Sequence, residues 1–139
     1  MIVVDSNVVA YYWINGPLTG TAQQLWAKDP EWHVPLLWRS ELRSILTGYL
    51  RDGTLNARQI AQIMTAAEAT FADREHLVSS EKVFAIVGGS KLSAYDAEFV
   101  ALAEVLGVPL VTADRAVLKA FPERALTMQA FAAGERSRS

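Results

Sequence analysis

Short, fully apolar runs alternate along this chain with longer stretches whose apolar positions recur every three or four residues. Runs of the first kind read as buried strands, and those of the second as amphipathic helices. Ile2-Val3-Val4 contains no polar position, which predicts a strand buried on both faces. Residues 7–14 predict a helix stopped by Asn15-Gly16-Pro17, and residues 20–28 a second helix ended by Asp29-Pro30. A short strand over 32–35 comes next, then a helix over 37–51 ended by Asp52-Gly53. Residues 56–71 predict another helix, with Ile60, Ile63, Met64 and Ala67 on one face. Residues 76–78 predict a third strand, and 80–87 a helix ended by Gly88-Gly89. Ser93 is placed to cap a helix over 94–106, which Gly107 ends. Residues 108–111 form the next buried strand, and a short helix follows Thr112-Ala113-Asp114. A last strand is expected over 125–127 and a last turn or two of helix over 128–133, with residues 134–139 as a frayed tail.

Strands alternating with amphipathic helices predict an α/β fold: a parallel sheet of about five short strands with helices on both faces. No repeat, low-complexity tract or linker interrupts the pattern, so residues 1–133 are expected to form a single domain.

Composition narrows the picture. The chain has 139 residues, 51% of them apolar and 20% charged, which suits one core and argues against disorder. It contains no cysteine, which removes disulfides and thiolate metal sites and permits a reducing cytoplasm. The two histidines, His33 and His76, lack ligand-like spacing and read as structural, so zinc is not expected. No stretch approaches the length of a membrane span, and Asp5 breaks the early apolar run, against a signal peptide. A net charge of −2 excludes a general polycation but leaves room for a local basic patch.

Four acids sit where acids are least expected. Asp5 follows the first strand directly, and Asp114 follows the 108–111 strand after Thr112 and Ala113. Ligands of open parallel sheets gather at such carboxyl ends. Glu41 lies within the apolar stripe of its helix, formed by Leu37, Leu42, Ile45, Leu46 and Tyr49, while Arg39 and Arg43 point elsewhere. Asp96 begins the apolar face completed by Phe99, Val100 and Ala103, with Glu98 nearly opposite.

Each acid also has a structural reading. Asp5 and Asp114 suit helix N-caps, Ser93-x-x-Asp96 resembles a capping box, and Glu41 could sit at a stripe's edge against a distant base. Taken together, four converging carboxylates need a cation. An oxygen-only donor set selects Mg²⁺ or Mn²⁺, and such an ion at a sheet edge suits phosphodiester hydrolysis. Ser6 and Thr112, hydroxyls beside the acids, could orient a water or a phosphate.

The stretches 3–9, 34–46 and 92–119 resemble the PIN-domain family, and within it the small bacterial VapC-type toxins. The third stretch is the most specific: an acid opening a helix, a Leu-Gly closure, then a strand running into Thr112-Ala113-Asp114. The resemblance implies a Mg²⁺- or Mn²⁺-dependent endoribonuclease. Asp5, Glu41, Asp96 and Asp114 would then be its metal-binding acids, with Thr112 the hydroxyl accompanying the last. It also implies a five-stranded parallel sheet, a homodimer, and a small cognate antitoxin whose tail enters the active site. Residues 115–119 carry no further acid, which leaves one-metal and two-metal schemes open, and Asn7 receives no role.

Arg115, Lys119 and Lys91 are the bases best placed to hold RNA phosphates. All four tryptophans fall within the first 38 residues, and Trp13 and Trp26 are the pair placed to line an exposed groove where a partner helix could dock. Two other functions compete with the nuclease. An aspartyl-nucleophile phosphatase would want a second acid at position 7, where Asn7 stands. A non-catalytic PIN-like module binding RNA or protein would have no need of all four acids.

Overall fold

The computed structural model describes residues 1–135, so residues 136–139 of the expected tail lie outside the described residues. Five strands, β1 (Ile2–Val4), β2 (Trp32–Pro35), β3 (Glu75–His76), β4 (Leu110–Val111) and β5 (Ala125–Leu126), form one sheet in the order β3-β2-β1-β4-β5. Every pairing is parallel, with Ile2 opposite Trp32 and Val3 opposite Leu110. The eight helices among the described residues are α1 (Ser6–Trp13), α2 (Thr19–Lys28), α3 (Trp38–Arg51), α4 (Ala57–Phe71), α5 (Ser80–Gly88), α6 (Ala94–Leu106), α7 (Arg115–Ala120) and α8 (Met128–Ala132).

Alternation along the strands divides the core in two. Ile2, Val4, Trp32, Val34 and Val111 face a cluster with Val8, Leu25, Leu42, Leu46, Phe71 and Met128, from α1 to α4 and α8. Val3, Leu110 and Ala125 face the other, with Ile86, Phe99, Val100 and Val117 from α5 to α7. Successive strand side chains point to opposite faces, so a sheet covered on both sides needs apolar residues at every position. This explains the absence of polar positions in β1.

The expected elements all form, with ends shifted by a residue or two. The differences have local causes. The third strand is Glu75–His76 rather than 76–78, because Leu36 N bonds to His76 O and the chain then leaves the edge, with Leu77 86% exposed. β4 begins at Leu110, two residues later than expected, since Gly107 at φ +68° must first turn the chain back and Val108 N closes on Ala103 O. Residues 134 and 135 do not fray. Gly134, at φ +83°, and Glu135 donate to Phe131 O and Ala130 O and so close α8.

Trp13 and Trp26 are half-buried against the first core, more enclosed than an exposed groove would leave them. They pack edge-to-face with centroids 6.5 Å apart, in a cluster with Tyr12, Trp32 and Phe71 that continues the first core. Burying rings of this size against one another is worth more than leaving them in water, and the two helices lie close enough to allow it.

Candidate functional site

β1 is central, and the order of strand addition reverses between β1 and β4: the chain runs outward through β2 to β3, then crosses back to β4 and β5, with α1 to α4 in one core cluster and α5 to α7 in the other. Asp5 and Asp114 stand at the carboxyl ends of β1 and β4, where open parallel sheets form their clefts. Asp5 is 8% exposed. Its Oδ1 accepts from Ser6 N at 2.7 Å and its Oδ2 from Thr112 Oγ1 at 2.7 Å. Thr112 is itself fully buried, and its Oγ1 accepts from Asp114 N at 3.0 Å. Asp114 Oδ1 in turn accepts from Val117 N at 3.1 Å.

Both strand-end aspartates therefore do cap helices, α1 and α7. Capping does not exhaust either carboxylate, which has about four lone-pair sites in all.

Glu41 sits in the first turn of α3, and Ser6 Oγ donates to its Oε1 at 2.6 Å, a length typical of a charge-assisted bond. The helix carrying Asp96 is capped by Ser93, whose Oγ accepts from Asp96 N at 3.1 Å. That bond uses the backbone of Asp96, and the Ser93 hydroxyl also acts on its carboxylate, opposing the rise that burial causes. Asp5, Ser6, Asn7, Glu41, Asp96 and Asp114, with Ser44 and Ile45, line one open cavity of about 310 Å³.

The electrostatics record this convergence. Asp5 is pushed up to about 6, chiefly by burial and further by the charges of Glu41 and Asp96, against the opposing bonds from Thr112 and Ser6. Glu41 is raised by burial and by Asp96 and Glu98, and Asp96 by burial and by Asp114. Among the described residues, no three acid or imidazole side chains close tightly enough to hold an ion by themselves. The acids ring the cavity instead. That lining fits a hydrated Mg²⁺ or Mn²⁺ better than a dehydrated one, because Mg²⁺ keeps several waters and takes only one or two carboxylates directly.

Three features were not visible in the sequence. Glu98, read as lying opposite Asp96, is partly buried and near enough to Glu41 to raise its pKa. The α3 and α6 helices approach one another from different parts of the chain, so spacing along α6 alone could not reveal this. The side-chain amide oxygen of Asn7 is buried beside the acids with no hydrogen-bond partner. A buried acceptor left bare costs about 1–3 kcal/mol. Its place two residues after Asp5 was the only signal. Third, His33 and His76, on β2 and β3, meet with Nδ1 and Nε2 2.8 Å apart, and His33 Nε2 lies 3.0 Å from Glu31. Their distant positions gave no sign of this contact.

The bases divide as well. Arg39 is bound to Glu75 through two bonds, at 2.8 and 2.6 Å, and to Glu68, which takes it out of the cavity. Arg115, Lys119 and Lys91 are exposed, the first two on α7 beside Asp114 and the third ahead of α6. No helix among the described residues is long and apolar enough to cross a membrane.

Residues 2–123 match the PIN domain family. Ribonuclease VapC9 of Mycobacterium tuberculosis and a VapC ribonuclease of Mycobacterium bovis are each 36% identical over 115 residues, covering 82% of this chain and 86% of the relative. In structure the chain is similar to PAE2754 from Pyrobaculum aerophilum, with a TM-score of 0.75 at 17% identity over 96% of this chain and 94% of that one. It is also similar to a toxin–antitoxin complex from Klebsiella pneumoniae, with a TM-score of 0.68 at 20% identity over 92% of this chain and 98% of that one. FitAcB from Neisseria gonorrhoeae gives a TM-score of 0.67 at 19% identity over 93% and 99%. At these identities the structural likeness speaks for the fold, and the sequence matches speak for descent. With strand order, acid-lined cleft and sequence agreeing over most of its length, the chain belongs to the PIN domain family.

Proposed function

We propose that this protein is a Mg²⁺- or Mn²⁺-dependent endoribonuclease and the toxin of a toxin–antitoxin pair. One observation carries the chemistry: four carboxylates from four separate places in the fold line one cavity at the β1–β4 switch, with Asp5 held up to about 6. Keeping such groups together without a cation is costly. The ribonuclease names of the 36% identical relatives support the substrate class, and the antitoxin in the Klebsiella complex supports the partner.

Asp5, Glu41, Asp96 and Asp114 would hold the ion. When bound, it would lower the pKa of a water and stabilise the oxyanions of the phosphodiester. The chain's own residues set the rest. Thr112 holds Asp5 by its hydroxyl and Asp114 by its backbone, so one side chain aligns acids from both strands. Ser6 holds Glu41 through Oε1, leaving Oε2 to accept a proton from the attacking water. Arg115, Lys119 and Lys91 would hold flanking phosphates. The homodimer rests on the family resemblance, and the cytoplasmic site of action on the cysteine-free composition, which a reducing compartment suits.

The phosphatase reading is weaker because both oxygens of Asp5 already accept hydrogen bonds and position 7 carries an amide, not an acid. The decisive test is purified protein incubated with total cellular RNA, with and without Mn²⁺ and with chelator, followed by mapping of cut ends. Metal-dependent cuts with chelator-sensitive yield are expected, and full activity in excess chelator would overturn the metal mechanism. In cells, expression alone should slow growth and co-expression of the antitoxin should restore it.

A further inference from the structure

A second pocket, of about 250 Å³, opens directly beside the acid cavity. Asn7 and Ile45 belong to the walls of both, so the two spaces adjoin. The second has a different chemistry. Its walls include Tyr11, Tyr49, Leu18 and Asn15, and no charged side chain contributes to them. A phosphate has no counter-charge there, so a neutral, largely apolar group is what fits. At the shared wall stands Asn7, whose buried amide oxygen has no donor within the protein.

We infer that this pocket is a nucleobase subsite, receiving one unstacked base of the RNA strand beside the scissile phosphate, with Asn7 reading the base's edge. The inference rests on the ribonuclease reading above. Single-stranded RNA is read by splaying bases onto aromatic side chains and bonding to their edges. Tyr11 and Tyr49 supply the aromatic side chains, and a base N–H would satisfy the bare oxygen of Asn7. Adjacency to the acid cavity sets the distance, because a base in this pocket belongs to a nucleotide whose phosphate lies at the carboxylates. The Asn7 carboxamide presents one acceptor and one donor group, so it favours the base whose edge offers the complementary pair at that point. The subsite thus gives the enzyme a preference for the base at one position of the cut.

The test uses the whole protein and five oligoribonucleotides of one length. Four differ only in the base next to the cut linkage, and the fifth is abasic there. Binding is measured in Ca²⁺ in place of Mg²⁺, with strand integrity checked afterwards. The preferred base should bind about tenfold more tightly than the abasic strand, within the range of stacking contributions. Asn7→Leu should bring the four bases to within about twofold of one another and leave the Kd of the abasic strand unchanged. Tyr49→Leu should weaken every base-containing strand while sparing the abasic one. Equal Kd values for all five strands in the wild type would overturn the subsite and reassign the pocket to a protein partner. An Asn7→Leu protein that keeps the base preference would overturn the role of Asn7. Metal-dependent cutting of total RNA with no base preference at the cut would leave the ribonuclease reading standing and remove the subsite, so the two failures are told apart.

Discussion

Thr112 Oγ1 donates to Asp5 Oδ2 at 2.7 Å across the β1–β4 pairing, although the two residues are 107 positions apart. The bond lowers the pKa of a carboxylate that burial otherwise raises. Both groups are buried, so neither can turn to water instead. Thr112→Val keeps the shape and removes the donor. It should cost about 1–3 kcal/mol of stability and shift the pH profile of cleavage to higher pH, because Asp5 then ionises later. A variant whose melting point and pH profile match the wild type would show that the hydroxyl does not hold Asp5.

The raised pKa of Asp5 makes a prediction about the metal-free protein. Folded, Asp5 titrates near 6, against 3.8 as the ordinary value. Between those values the native state binds the proton more readily than the unfolded state, so stability falls as pH rises through the window. At about 1.4 kcal/mol per pKa unit, the charge costs the metal-free fold about 3 kcal/mol at neutral pH. Asp5→Asn should therefore melt above the wild type in chelator at neutral pH, and the two should converge near pH 4. It should also be inactive. Chelator melts across pH, with CD as the readout, check the stability; a difference that does not shrink with acid would contradict it.

Asp96→Asn tests the convergence from another element. It removes one charge from the cavity but leaves the backbone N–H that Ser93 caps at 3.1 Å. Two unit charges about 4 Å apart repel by roughly 4 kcal/mol at an effective dielectric of 20. The variant should melt higher than the wild type in chelator at low salt. The wild type should gain more from Mn²⁺, because a ligand of the native state stabilises it by mass action. Paired melts with and without Mn²⁺ decide this; a lower-melting variant with an unchanged Mn²⁺ response would make Asp96 a structural residue only.

Asp114 separates capping from catalysis. Its Oδ1 caps α7 through Val117 N at 3.1 Å. Asp114→Asn retains an acceptor for that bond, so it should remain within about 0.5 kcal/mol of the wild type, as exchanging one good N-cap for another does. Cleavage should nonetheless be lost, since an amide cannot supply the charge a cation needs. Asp114→Ala should lose both activity and about 1 kcal/mol. Measuring melting and RNA cleavage on the two variants together tells the roles apart, and an active Asp114→Asn protein would reduce Asp114 to a cap.

The sequence by itself determined the elements and the acids. The unbroken apolarity of Ile2-Val3-Val4 required a strand covered on both faces, because period-two geometry exposes every other residue unless a second layer covers it. The helical stripe on 37–51 and the Gly107 stop were equally legible, since both depend on local backbone geometry. Asp5 and Asp114 could be placed at strand ends, and Glu41 and Asp96 on apolar faces, without knowing where any of these met. Only the tertiary structure decided how they meet. Strand order sets β4 beside β1, which brings Thr112 to Asp5 and Asp96 within range of both Asp5 and Asp114. The packing of α3 against α1 supplied Ser6 to Glu41, and its approach to α6 brought Glu98 near as well. The bare oxygen of Asn7, the paired histidines and the burial of Trp13 and Trp26 against Trp32 are of the same kind. Periodicity reports which face of an element is buried. What that face touches depends on contacts between distant segments, and those follow from sheet order and helix packing, not from spacing along the chain.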